Sequence, residues 1–501
     1  MPAGQNTFYW NVRGYGTTSV GTVFGGAGVF SWVGRRSLPA LLRVILFGAC
    51  LIALHNPTAL GATGPALLYT VSVGPDPSSP VQIEVHIPAA AGELQLYFPA
   101  ASSRTPRVES LTARGADGAA LAVERPDNGR VRVATHGTAD VVVAYSLNLS
   151  PSLWSPSTWP ASDLSSVRSE DAVWLVGRDA FLELAGAEDW PKEVRLELPA
   201  GWRAVLGGSG AVEDGGRLAV AAGEEPVLLL GELSVTRYPL PNGQLTLIVS
   251  KDPPWEPAHL AWSVQAMLES LAAKGVAGPP SDLTLAVLRY PGALQLNPLI
   301  ATQTAGDRTI VHWVGTGTLT WWRKHAARDM VAWLVDRTLR LGADARWLKA
   351  GLADYGGLAL LFDTGFLTVD EMYQSLRALH SNGLHYAGPA WPSLVAAALE
   401  SPPSHAAQRV MSFRSPLIAL LLDIELREAS RGSFTIFDLW ARLASEQRRA
   451  AAVTLHTAAV LSPLAEAGLG SGFAQAFVYG TRVPPADFDH LFERWFDQQG
   501  K

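Results

Sequence analysis

The sequence predicts a multidomain α+β protein: an N-terminal antiparallel β-sandwich-like domain, then an α+β domain, then a C-terminal helical region. Three observations carry that reading. The chain has 501 residues, more than one hydrophobic core usually serves, and about 150 residues per domain gives roughly three domains. Apolar residues alternate with period two from about residue 65 to 250. Near Asp252-Pro-Pro-Trp255 the period lengthens to that of a helix, and it stays so over most of 318–500.

The elements follow in order. Val81-Gln-Ile-Glu-Val-His-Ile87, Arg130-Val-Arg-Val-Ala134, Val141-Val-Val-Ala-Tyr145 and Val194-Arg-Leu-Glu-Leu198 read as half-buried strands. They are short, and turns rich in Gly, Pro and Asp recur between them, which argues for a sandwich rather than alternating β-α units. Residues 259–274 carry apolar side chains at helical spacing, and 283–288 read as a buried strand. Thr368-Val-Asp-Glu371 and Thr435-Ile-Phe-Asp438 have the spacing of a capping box, so a helix is expected to start at each. No internal repeat is present. The expected divisions are 1–62, 63–248, 249–382 and 383–501.

Composition narrows the function. Apolar residues make up 48% and charged residues 17%, against about 25% charged in ordinary globular chains, so the chain must fold. A net charge of −6 supplies no field to attract nucleic acid or an anionic membrane surface. The single cysteine, Cys50, excludes an internal disulfide framework and every Cys-rich metal site, leaving His and carboxylates as metal ligands.

At the N-terminus, Arg35 and Arg36 precede an uncharged run over 44–54. Its eleven residues suit a signal peptide and fall short of the roughly 20 that a bilayer-spanning helix needs. Ala59-Leu60-Gly61 offers small residues for cleavage, so the mature chain is expected to begin near Ala62 and to be exported to the periplasm or cell envelope. The other reading keeps 38–54 as a membrane anchor, and Phe47-Gly-Ala-Cys50 resembles a poor lipoprotein box. Membrane attachment is thus expected only through an uncleaved signal or a lipid. Residues 1–34 lie upstream of the basic pair, where a signal peptide normally begins.

Nucleophile elbows, phosphate-binding loops and dinucleotide fingerprints are missing from the sequence. The eleven histidines include no pair spaced i, i+4. What does occur is His325-Ala-Ala-Arg-Asp329, where residues four apart share a helix face. His325 and Asp329 either contribute two metal ligands, or form a partly buried histidine paired with the carboxylate or a backbone carbonyl; spacing alone favours the second. Trp313, Trp321, Trp322, Trp333 and Trp347 crowd the same region. They either line a cleft or fill a core, and core is favoured.

An ordered series of segments carries a family resemblance. It comprises Arg195-Leu-Glu-Leu-Pro-Ala-Gly-Trp-Arg203, Pro291-Gly-Ala-Leu-Gln-Leu-Asn-Pro-Leu299, His325-Ala-Ala-Arg-Asp329, Trp347-Leu-Lys-Ala-Gly-Leu-Ala-Asp-Tyr355, the apolar stretch 417–426 and Phe477-Val-Tyr-Gly-Thr481. Across about residues 65–498 the chain resembles the glycyl aminopeptidase family of gluzincin zinc metallopeptidases, with a looser likeness to the aminopeptidase N family. The resemblance implies that the α+β domain is thermolysin-like. It also places His325 at the first zinc-ligand position, Ala326 at the general base, Asp329 at the second ligand, Ala350 at the third and Asp354 at a supporting carboxylate. Ser412 falls where a tyrosine would stabilise the tetrahedral intermediate. Leu294, Gln295 and Asn297 lie in the loop that presents substrate-binding groups, and no carboxylate stands there for the substrate's amino group.

Catalytic zinc keeps three protein ligands and a water that needs a base. Alanine at 326 and 350 supplies neither. The resemblance therefore implies a homologue that has lost zinc and catalysis and acts as a binding or scaffold protein for a peptide or an envelope protein. The alternative is an active metallopeptidase with relocated ligands.

Overall fold

The computed structural model describes residues 65–499 apart from 89–91, 100–106, 128, 150–165, 208–211, 214–215, 221–222, 241–242, 277–281, 290–299, 306–308, 315–316, 451–452 and 467–470. The expected signal peptide and the loop of Leu294, Gln295 and Asn297 lie outside the described residues.

Strict alternation builds the first domain. In Val81–Pro88 the residues Val81, Ile83, Val85 and Ile87 point inward, and their neighbours face out or lie half-buried. This strand sits inside a seven-stranded sheet, between Leu67–Ser72 and Asp140–Asn148. Four- and five-stranded sheets complete the domain. Two buried tyrosines tie the seven-stranded sheet to the segment around Phe181: the Tyr69 hydroxyl donates to the Leu182 carbonyl at 2.8 Å and the Tyr145 hydroxyl to that of Ala180 at 2.8 Å. Beside them, on the short helix Gly177–Ala180, the buried Asp179 carboxylate accepts bonds from the Ser166 backbone N–H at 2.8 Å and hydroxyl at 2.6 Å. One pairing departs from the otherwise antiparallel order. Leu67–Ser72 runs parallel to Lys192–Glu197, a pairing that alternation cannot reveal because it depends on how a long crossover returns.

The sheet of the second domain runs Leu233–Leu240, Gly243–Ser250, Asp282–Arg289, Thr309–Val314, Ile300–Ala305. It opens with a hairpin, adds two parallel steps and closes with an antiparallel edge strand. The helix Pro257–Ala273 makes the first parallel crossover, as parallel pairing requires. Both faces are covered. Leu285, Val287, Ile310 and Val314 enter the core shared with the helices, whereas Ala286, Leu288 and Val311 pack with Trp174, Val205 and Leu229 of the first domain.

Two of the expected boundaries fall inside single elements. The sheet takes in 233–250, which the division at 248/249 splits. The period change near Asp252 marks the first helix, not the domain edge, because strands on either side of that edge share one period. The division at 382/383 falls inside the helix Val369–His385, and one continuous core runs from Leu240 to Trp495. The C-terminal helical region is thus part of the α+β unit's core. No helix among the described residues is long and apolar enough to cross a membrane.

Candidate metallopeptidase-type site

The site helix spans Leu319–Thr338, capped by Thr318, whose hydroxyl oxygen accepts the Trp321 N–H. Its inner side buries Trp322, Ala326, Met330 and Trp333. Ala326, at the expected base position, is a methyl group in that core. His325 is partly buried and meets the Trp321 ring edge-on at 4.5 Å. Burial pushes its imidazole down to about 3, against the pull of Asp329, so it is neutral at physiological pH.

Asp329 turns toward the sheet. Its Oδ2 lies 3.4 Å from Nε2 of His312, a residue of the strand Thr309–Val314 that is 1% exposed. The Trp322 indole N–H donates to His312 Nδ1 at 3.1 Å, which makes Nδ1 an acceptor and leaves Nε2 to face Asp329. Register makes this contact possible: His312 alternates with Val311, so it faces the helices while Val311 faces the first domain.

Ala350 lies near the end of the helix Arg346–Gly351, its methyl packed against the main core. The chain then makes a π-helical turn, Leu352–Gly356, before continuing as Gly357–Asp363. Such turns are frequent at functional sites. Asp354 sits in this turn and pairs with Arg328, whose Nε is 2.7 Å from Oδ1. Burial raises the Asp354 carboxyl, the Arg328 guanidinium opposes that and Asp329 adds to it. Tyr355 reaches the other way, donating to the buried Asp423 carboxylate and accepting the Trp495 indole N–H at 2.8 Å. A second π turn, Val410–Arg414, contains Ser412, whose hydroxyl is spent on the Gln408 carbonyl at 2.8 Å.

The residues expected from the sequence are therefore brought together only in part. His325 and Asp329 share the site helix, and Asp354 is joined to that helix through Arg328. At the third-ligand position Ala350 offers no donor atom. Among the described residues no group of three or more His, Cys, Asp or Glu side chains is placed to hold a metal. This donor set does not fit a catalytic zinc ion, which takes three protein ligands. Sequence reading missed His312 and Arg328 as members of the site. A polar residue inside an apolar strand was the available signal for the first; nothing in the spacing marked the second.

Comparison with known proteins agrees with this geometry at the level of fold. Residues 68–215 match the Peptidase M61 N-terminal domain. The structure is similar to that of an aminopeptidase N family protein from Idiomarina loihiensis, with a TM-score of 0.65, 15% identity and coverage of 85% of this chain and 78% of that one. An M1 zinc metallopeptidase from Deinococcus radiodurans aligns with a TM-score of 0.46 at 15% identity, covering 85% of this chain and 96% of that one. No curated protein matches the sequence. The fold over most of the chain is that of the Idiomarina loihiensis aminopeptidase N family protein.

Proposed function

We propose that the chain is a catalytically inactive homologue of a zinc aminopeptidase, exported to the cell envelope, where it serves as a scaffold or binding protein. The observation that carries this reading is the chemistry of the four key positions. Of His325, Ala326, Asp329 and Ala350, two offer no donor, and Asp329 is directed at His312. A zinc-bound water would lack both its third protein ligand and its base. The tryptophans favour a scaffold over an aromatic cleft: Trp322, Trp333 and Trp347 are buried core residues. The basic pair followed by an apolar run of signal length supports export.

The native protein is expected to contain no stoichiometric zinc and to hydrolyse no aminoacyl substrate. The combined substitutions Asp329→His and Ala350→Glu should introduce measurable zinc binding, read by calorimetry. Stoichiometric zinc in the native protein would return the reading to an active peptidase with relocated ligands. Equal zinc affinity before and after the substitutions would mean that these positions do not converge.

A further inference from the structure

We infer that the position which holds zinc in the family this chain resembles is closed here by the Arg328–Asp354 ion pair and the polar His312–Asp329 contact, the guanidinium supplying positive charge in place of a metal, and that together they make the site a structural joint. The inference rests on the reading of the chain as a non-catalytic homologue and says what replaced the metal.

Two carboxylates occupy the site, with side chains 15% exposed at Asp329 and 20% at Asp354. They are near enough for Asp329 to push the Asp354 carboxyl up. Partly desolvated like charges repel unless each has a counter-charge. Asp354 has the Arg328 guanidinium, and Asp329 faces the polar Nε2 of His312. Arg328 and Asp329 are neighbours in sequence, so their side chains leave the site helix about 100° apart. The first reaches the π turn at 2.7 Å and the second reaches the strand at 3.4 Å. Trp322 fixes the His312 ring from behind. On the other flank Gly357 lies so close that an added Cβ would stand 3.0 Å from the Arg328 backbone nitrogen. The helix is thus tied to the sheet on one side and to the π turn on the other.

A guanidinium stays charged throughout the ordinary pH range. It therefore opposes any divalent cation approaching Asp354. Arg328 is a positioning residue for the site helix and a bar to metal at the same time.

Thermal unfolding of the full chain with and without zinc tests both roles. Arg328→Met and Asp354→Asn should each lower Tm by about 5 °C or more, as loss of one partner of a partly buried pair does. The double variant should lose clearly less than the sum, and Arg328→Lys should retain most of the native Tm. In the background of Asp329→His with Ala350→Glu, added zinc should raise the Tm more when Arg328→Met is also present than when Arg328 is kept or replaced by Lys. If Arg328→Met does not fold, the reversed pair Arg328→Asp with Asp354→Arg supplies the coupling, and it should be more stable than either reversal alone. Additive losses, or a zinc response in that background that is equal with Arg328 and with Arg328→Met, would overturn the joint. With a zinc-free native protein that result would leave the proposed function standing.

Discussion

Asp179 shows how one buried side chain sets a pH response. Burial raises its carboxyl to about 7, and the two bonds from Ser166 pull the other way without cancelling the shift. The folded-state value lies above the unfolded one, so the fold prefers the protonated form. The resulting stabilisation is complete below pH 4 and is lost as pH rises through about 7. Asp179→Asn removes the ionisation and keeps an acceptor for Ser166. Relative to the native protein, the variant should gain stability between pH 4 and pH 8, by an amount on the order of 2–4 kcal/mol. Denaturant titrations at pH 5 and pH 8 check this, and an unchanged difference between the two would assign the shift elsewhere. At this scale the sequence was legible at Ala326 and Ala350, since alanine offers no donor atom in any context. It was silent where chemistry is rearranged. The pairing of Asp329 with His312 spans two elements, and no spacing rule connects a strand residue to a helix residue across a sheet face.

Among the elements, caps were readable and turns of unusual pitch were not. Both predicted capping boxes form: Thr368 and Glu371 bond reciprocally, as do Thr435 and Asp438. They need only local partners three residues apart, which is why a sequence shows them. The helix crossing beside Ala350 depends instead on a distant partner. A Cβ added to Gly351 would lie 2.9 Å from the Ser415 carbonyl oxygen and 2.9 Å from the Ala419 Cβ, so the helices Arg346–Gly351 and Ser415–Ser430 touch there through a missing side chain. Alanine would favour the helix by up to about 1 kcal/mol, whereas overpacking against a backbone oxygen costs about 1–3 kcal/mol. Packing wins. Gly351→Ala should lower the stability measured in urea, and an increase would show that the two helices separate without cost.

For the whole molecule, the decisive layer is the sheet covered on both faces. Trp174, Val176, Val205 and Leu229 of the first domain bury themselves against Ile248, Ala286, Leu288 and Val311 of the second. A fragment of residues 65–231 would leave that apolar face open to water, so it should self-associate and bind an apolar dye, unlike the full chain. A soluble, dye-silent monomer would show that the two domains do not depend on each other. Fold class was legible because period two and period 3.6 differ along the whole chain. The domain edge was not, because strands of two adjoining sheets read alike. The π turn at Leu352–Gly356 has a consequence of its own for heredity. It holds one residue more than an α-helical path would, so everything after it is turned by about 100° relative to everything before it. Tyr355 finds Trp495 and Asp423 only in that phase. Substitutions in this stretch change what a position contacts, but the loss of a single codon would rotate the rest of the helix away from its partners. Length is therefore the quantity that inheritance has to preserve there, ahead of residue identity.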